Sequence, residues 1–351
     1  MFDKSTWIKL PRNVVIGHGV LDQVGAAVDD LYLSGQPLLV TSPTPERLAG
    51  DRLRAQFDVE PHTVTVEKAS FASVEAVAET ALAEETDYII ALGGGKAIDI
   101  AKMAAERVDC GFVSVPTVAS HDGIVSGRSS IPEGDTRHSV AADPPLAVVA
   151  DTELLAQAPW ELTTAGCADI ISNYTAVKDW QLAHRLKNVE YSEYAGALSE
   201  MTAEMLVDSA DSIKPGLEEA AWIVVKALVS SGVAMSIAGS SRPASGAEHL
   251  FSHQLDRLVP NTALHGHQVG VGSIMTEYLH SGEKGQWRNI RDALERIDAP
   301  TTARELGVDD DVVIEALTTA HTIRDRYTIL GDGMNVDAAR EVARVTGVIE
   351  A

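Results

Sequence analysis

The chain has little cysteine, little positive charge and no uninterrupted apolar stretch long enough for a bilayer. Each shortage removes a class of explanation. Its 351 residues include only two cysteines, Cys110 and Cys167. They form no disulfide framework or cysteine metal motif and are expected as buried thiols. Lysine and arginine together number 28 against 51 aspartates and glutamates, a formal net charge of -23. A chain acidic along its whole length lacks the basic surface that nucleic acid or an anionic membrane requires, so any phosphate it binds needs local basic groups. No apolar run reaches the roughly 18 to 20 residues of a membrane span, and the first residues carry no signal-peptide pattern, which points to the cytoplasm.

What is present suits a folded enzyme. Hydrophobic residues make up 45% and charged residues 23%, ample core material for two domains at this length. Lysine is scarce beside arginine, and acidic groups crowd positions such as Asp29-Asp30, Glu84-Glu85 and Asp309-Asp310-Asp311. The pattern is read as adaptation to high salt, with a merely acidic cytosolic enzyme as the alternative; adaptation predicts a melting temperature that rises with added KCl.

The pattern of apolar residues divides the chain. Strands are predicted at Asn13 to Gly17, Leu38 to Thr41, Thr63 to Val66, Asp87 to Leu92, Phe112 to Pro116 and Leu146 to Asp151. Helical periodicity lies between most of them, over Gly19 to Leu31, Glu46 to Gln56, Ser73 to Glu85 and from the glycine turn to about Glu106. Such alternation implies a parallel sheet. Ile131-Pro132-Glu133-Gly134-Asp135 reads as a hairpin tip, and beyond about Thr152 only helical periodicity remains. The expected architecture is an N-terminal Rossmann-like α/β domain over 1–155 followed by an all-α domain over 156–351.

Four segments carry side chains suited to chemistry. The first is Gly93-Gly94-Gly95-Lys96-Ala97-Ile98-Asp99, at a strand-to-helix junction. Glycine lets backbone N–H groups approach a phosphate, and a helix N-terminus adds partial positive charge. The spacing is neither that of a P-loop nor G-x-G-x-x-G, so the run is either turn chemistry or an anion cradle, with Lys96 favouring the cradle. The second, Pro116 to Ser126, sits at the end of the next strand and offers Thr117, Ser120 and Ser126 to a cofactor and Asp122 to a substrate hydroxyl, or else simply caps a helix. The third places Asp169 in an otherwise small and apolar helical run, where burial would demand a cation or several donors; a capping or solvent-facing role is the alternative. The fourth gathers four of the eleven histidines: His249 and His253 share one helical face, and a break at Pro260-Asn261 lets His265 and His267 return from another direction. Leu250 stands where a zinc protease of the H-E-x-x-H type needs glutamate, which excludes that class.

Taken in order, Gly93-Gly94-Gly95-Lys96-x-x-Asp99, Pro116-Thr117-x-x-Ser120, Gly166-x-x-Asp169, His249-x-x-x-His253 and His265-Gly266 resemble the metal-dependent polyol and alcohol dehydrogenases of dehydroquinate-synthase-like fold. Ser120-His121-Asp122-Gly123 and the run Ser240 to His249 look most like the branch that makes sn-glycerol 1-phosphate for archaeal membrane lipids. The resemblance covers Asn13 to about Leu279, and the last seventy residues are much less diagnostic. It implies that Asp169, His249 and His265 bind one zinc ion. It also implies that Gly93, Gly94, Gly95, Lys96, Ala97, Asp99, Thr117, Ser120 and Ser126 bind NADPH or NADH, that Asp122 and His253 face the substrate, and that His267 has no assigned part. The implied reaction is reduction of dihydroxyacetone phosphate to sn-glycerol 1-phosphate by a homo-oligomer, without nucleic acid or membrane insertion. His253, or a water it orients, is the expected proton relay. Lys96, Arg242 and His253 are the candidates for the substrate phosphate. The second strand ends Val40-Thr41-Ser42-Pro43 without a carboxylate and with Arg47 just downstream, so NADPH should be accepted at least as well as NADH. A glycerol or other polyol dehydrogenase is the alternative. A dehydroquinate-synthase-like lyase would need more basic phosphate ligands than are evident, and nothing favours a zinc protein without turnover.

Overall fold

The structure is a computed structural model and describes residues 5–133, 136–260 and 262–350. Its strands are β1 Asn13–Gly17, β2 Pro37–Thr41, β3 His62–Thr65, β4 Tyr88–Gly93, β5 Gly111–Pro116, β6 Arg128–Glu133, β7 Thr136–Ala141 and β8 Ala147–Asp151. Six of them form one sheet in the order β1-β8-β5-β4-β2-β3, and every neighbouring pair is parallel. The strand expected at Leu146 to Asp151 is last in the chain but interior in space, inserted between β1 and β5.

The continuous apolar runs follow from this position, since β2, β4 and β8 are buried along their whole length while the edge strands β1 and β3 are not. Alternation sends Leu39, Ile90, Leu92 and Val149 to one face, against Val20, Leu21 and Val24. Leu38, Val40, Ile89, Ala91 and Val148 face the other way, into an apolar core that continues without a break into the helical half. The hairpin of β6 and β7 stands apart from the sheet with Glu133 opposite Thr136; Gly134 and Asp135 of the expected tip lie outside the described residues.

Helices of seven residues or more are α1 Val24–Asp30, α2 Phe71–Ala83 and α3 Gly95–Val108 around the sheet. After β8 come α4 Trp160–Ile171, α5 Asn173–Lys187, α6 Glu193–Asp208, α7 Glu218–Ala238, α8 Ala247–Leu258, α9 His265–Ser281, α10 Trp287–Arg296, α11 Asp310–Thr319 and α12 Val336–Val345. The helix expected over Glu46 to Gln56 is instead a π-helical turn, Glu46–Gly50, continued by Asp51–Arg54. One membrane expectation needs correction. α7 is 21 residues long, with a mean hydropathy of 1.7 over its most apolar window, and by length and composition alone passes as a bilayer span. Of that window 56% is buried inside the protein, with Val224, Val225 and Leu228 in the common core.

The helical half places the histidines by close packing. A Cβ on Gly266 would lie 2.0 Å from the carbonyl oxygen of Ala165, so only glycine lets the first turn of α9 sit directly on α4. That contact brings His265, at the start of α9, to Asp169 on α4. Asn261, part of the expected break before it, lies outside the described residues.

Candidate active site

A cavity of about 380 Å³ opens between the carboxyl ends of the sheet strands and the helical half. The chain runs outward from β2 to β3 and then back through β4, β5 and β8, so the crevice between β2 and β4 is where the strand order reverses. In open α/β sheets such a crevice is the usual place for a nucleotide. Gly93 closes β4 at φ 157°, Gly94 caps α3, and a Cβ on Gly95 would run into the His121 ring at 1.9 Å. The turn is therefore bare backbone at a helix N-terminus, suited to a phosphate.

The other expected cofactor residues surround this turn unequally. Gly95, Lys96, Asp99, Ser120 and Ser126 line the cavity. Thr117 is buried beside the turn and donates its N–H to the Gly93 carbonyl at 3.0 Å. Ala97 is wholly buried. The Ser126 hydroxyl is buried and has no hydrogen-bond partner among the described residues. The Lys96 ammonium donates to the Glu67 carbonyl at 2.7 Å. Asp99 is tied to the hairpin, accepting from the Ser130 N–H at 3.2 Å, and lies 3.8 Å from the Lys102 ammonium.

Lys102 went unnoticed in the sequence and explains how the next loop is held. It is fully buried and donates to the carbonyls of Gly123 and Arg128 at 2.8 and 2.5 Å, bracing the segment that carries Asp122 and Ser126. Burial lowers its pKa, opposed by Asp99 and Asp122. Asp122 accepts from the Ser231 hydroxyl on α7 at 2.9 Å, and its N–H donates to Asp169 at 3.3 Å. Burial, then the Asp169 carboxylate, raise the Asp122 pKa.

Across the cavity, Asp169, His249 and His265 each offer a ligand atom, and these atoms all lie within 4.8 Å of one another. His249 Nε2 stands 3.6 Å from an Asp169 oxygen, beyond a hydrogen bond but suited to two ligands of one small cation. The far side of each imidazole is engaged: His249 Nδ1 with Glu248 at 3.0 Å, and His265 Nδ1 with the Ser252 hydroxyl at 2.8 Å. Ser252 in turn donates to Gln268 at 2.6 Å. Both rings thus keep Nε2 for the shared centre, the arrangement by which metal-binding histidines are oriented. Burial opposes charge on His249, yet Asp169 and Glu248 outweigh it and raise its pKa, so the site favours a cation. The donor set fits a divalent metal with open positions.

His253 stacks on His265 with ring centroids 5.5 Å apart and lines the same cavity. His267 is turned elsewhere, its Nε2 2.9 Å from the Thr164 hydroxyl, and burial lowers its pKa to about 4. Glu248 and Ser252 escaped the sequence reading, although an acidic residue directly before His249, on a helix with a buried face, was a visible signal.

Comparison with known proteins bears on this arrangement directly. The chain is 76% identical over 350 residues to glycerol-1-phosphate dehydrogenase [NAD(P)+] of Halorubrum lacusprofundi, covering 100% of both chains. It is 74% identical over 352 residues to the enzyme of the same name from Natronomonas pharaonis, covering 99% of this chain and 100% of that one. The chain belongs to the glycerol-1-phosphate dehydrogenase family. Residues 15–159 also match the family described as iron-containing alcohol dehydrogenase. Among solved structures, a probable glycerol dehydrogenase from Sinorhizobium meliloti superposes with a TM-score of 0.80 at 20% identity, over 97% of this chain and 98% of that one. Glycerol dehydrogenase from Schizosaccharomyces pombe gives 0.77 at 19% identity, over 99% and 94%. These confirm the dehydroquinate-synthase-like fold. The halophilic archaeal family members agree with the acidic composition.

Proposed function

We propose that the protein reduces dihydroxyacetone phosphate to sn-glycerol 1-phosphate with NADPH or NADH, using zinc held by Asp169, His249 and His265. The observation that carries this reading is the meeting, in one cavity, of a bare glycine turn at a helix N-terminus and a three-ligand site oriented by a carboxylate and a serine. The relatives named for this activity support it over the full chain. Zinc bound there would supply a Lewis acid for the substrate's C2 oxygen.

The chain's own groups do the rest of the work. Gly93, Gly94 and Gly95 present backbone to the cofactor pyrophosphate, while Ser120 and Ser126 supply hydroxyls beside it. Glu248 and Ser252 fix the two imidazoles, so no side-chain reorganisation is needed as charge develops at C2. Asp122, pinned by Ser231, holds a substrate hydroxyl, and His253 passes a proton to the C2 oxygen. The first carboxylate after β2 in the chain, Glu46, pairs through one oxygen with Arg54 at 2.6 Å, which supports NADPH being accepted at least as well as NADH. Residues 1–155 serve as the cofactor domain and 156–351 as the metal and substrate domain of a cytoplasmic homo-oligomer.

One assay tests the reading. Purified protein supplied with zinc should oxidise NADPH with dihydroxyacetone phosphate far faster than with dihydroxyacetone, giving the sn-1 product by chiral analysis. Equal rates on the two ketones would reject it in favour of a general polyol dehydrogenase, and a product of the opposite hand would reject the proposed stereochemistry.

A further inference from the structure

The last seventy residues hold a feature that neither the motifs nor the triad accounts for. Arg324 and Arg326 lie on the loop between α11 and α12, which crosses over the segment Ser241 to Ser245 just before α8. Arg324 donates to the Ser245 hydroxyl at 2.7 Å. Arg326 donates to the Ser245 carbonyl and, at 2.8 Å, to the Ser241 hydroxyl. Arg324 and Arg128 both line the cavity that holds His249, His253 and His265. Among the described residues no carboxylate lies within 4 Å of Arg128, Arg242, Arg324 or Arg326, in a chain whose acidic residues outnumber its basic ones 51 to 28. Elsewhere arginines find partners readily, as Arg54 with Glu46 and Arg344 with Glu341.

Crowding sharpens the contrast. Burial comes first in lowering the pKa of Arg324, to about 10, and of Arg326, to about 8; neighbouring guanidinium groups add to it, and the Glu248 carboxylate opposes it in part. Arginine keeps its proton in such settings, so the part of the cost that Glu248 does not offset remains as charge that an anion would satisfy. The Arg324 Nε is buried and has no hydrogen-bond partner among the described residues, which leaves part of the planar fork unspent. Lys96, expected from the sequence as a phosphate ligand, has its ammonium on a backbone carbonyl, and Arg242 is not among the cavity's lining residues.

Resting on the reaction proposed above, we infer that Arg324, with Arg128 across the cavity, grips the phosphate monoester of the triose phosphate and so sets the preference for a phosphorylated ketone. Ser245 and Arg326 are positioning groups: they hold the loop and the guanidinium from behind. Attachment to Ser245 fixes the clamp relative to His249, because Ser245 leads directly into α8 and the Glu248 carboxylate accepts from the Gly246 N–H within the same turn. Distance from phosphate to the reacting carbon is thereby set by one short stretch of chain.

The same chemistry would suit the 2′-phosphate of NADPH, and the test separates the two sources. Arg324→Gln and Arg324→Lys are compared with wild type as zinc-loaded, full-length protein, with both ketones as substrates and with NADPH and NADH titrated by fluorescence. Losing one buried charge-assisted contact should cut kcat/KM for dihydroxyacetone phosphate about 100-fold in R324Q, chiefly through KM, with partial recovery in R324K. The loss on dihydroxyacetone should stay below about threefold, and both cofactor dissociation constants within about twofold. Inorganic phosphate should inhibit wild type competitively against dihydroxyacetone phosphate and R324Q far more weakly. Equal losses on both ketones would make Arg324 structural and overturn the inference. So would weaker NADPH binding with NADH untouched, which would give the site to the cofactor. A wild type without preference for the phosphorylated ketone refutes the reaction itself, whatever the variants do.

Discussion

The two walls of the cavity are built on opposite plans. In the proposed reading the glycine turn meets its ligand with backbone: Gly93, Gly94 and Gly95 contribute no side chains, and the Lys96 ammonium beside them is tied to the Glu67 carbonyl. The metal-type wall recognises with side chains, and every one is steered by another: Glu248 for His249, Ser252 and Gln268 for His265, the Asp122 N–H for Asp169. A backbone wall is set by local chain geometry and tolerates variation around it. A side-chain wall depends on helices brought together from three parts of the chain, and each of its members answers to a second residue.

The largest expected effect attacks the second wall alone. Asp169→Asn keeps the shape but removes the carboxylate of the proposed triad. It should lose bound zinc and at least about 1,000-fold in kcat/KM, several kcal/mol of transition-state stabilisation. NADPH affinity, which belongs to the other wall, should change less than about threefold. Metal analysis beside a fluorescence titration checks both halves. If cofactor binding collapses together with the metal, the walls are one cooperative unit and the contrast fails.

An intermediate effect is expected one shell further out. Glu248 is fully buried and accepts from the Thr175 hydroxyl at 2.9 Å as well as from the backbone of its own turn. Glu248→Gln preserves volume but loses the charge that holds His249 in its tautomer. Zinc affinity should fall about 10- to 100-fold, with activity restored at high zinc. Unchanged zinc affinity would reduce Glu248 to a packing residue.

The same contrast explains what could be read from the sequence. The parallel sheet was legible because β2, β4 and β8 are covered on both faces and so are written as continuous apolar runs. The glycine turn was legible because its parts are contiguous. Asp169, His249 and His265 stood out one by one, but that they form one group was given only by resemblance, since nothing local connects α4, α8 and α9. Their meeting depends on Gly266 lying against Ala165, a contact that spacing cannot reveal. Lys102 and Arg324 were illegible for a related reason: each reads as an ordinary surface charge until its helix or loop is placed. The span-like length of α7 was passed over in the sequence, and only its burial in the common core separates it from a bilayer span, since both satisfy the same compositional test.

The smallest effect belongs to the backbone wall and has an unusual sign. The Ser126 hydroxyl is buried, lines the cavity and has no partner among the described residues, while its own N–H donates to the Asp122 carbonyl at 3.0 Å. Leaving a buried hydroxyl unsatisfied costs about 1 to 3 kcal/mol, so removing it in Ser126→Ala should leave the cofactor-free protein as stable as wild type or up to about 1 kcal/mol more stable. If the hydroxyl is there for the cofactor, the same change should weaken NADPH binding by about 1 kcal/mol, roughly fivefold in Kd. Denaturant unfolding and fluorescence titration on one preparation give both numbers. Opposite signs mark a group whose hydrogen bond is completed by the ligand; a loss of stability with unchanged binding would mark a packing role and show that the backbone wall manages without it.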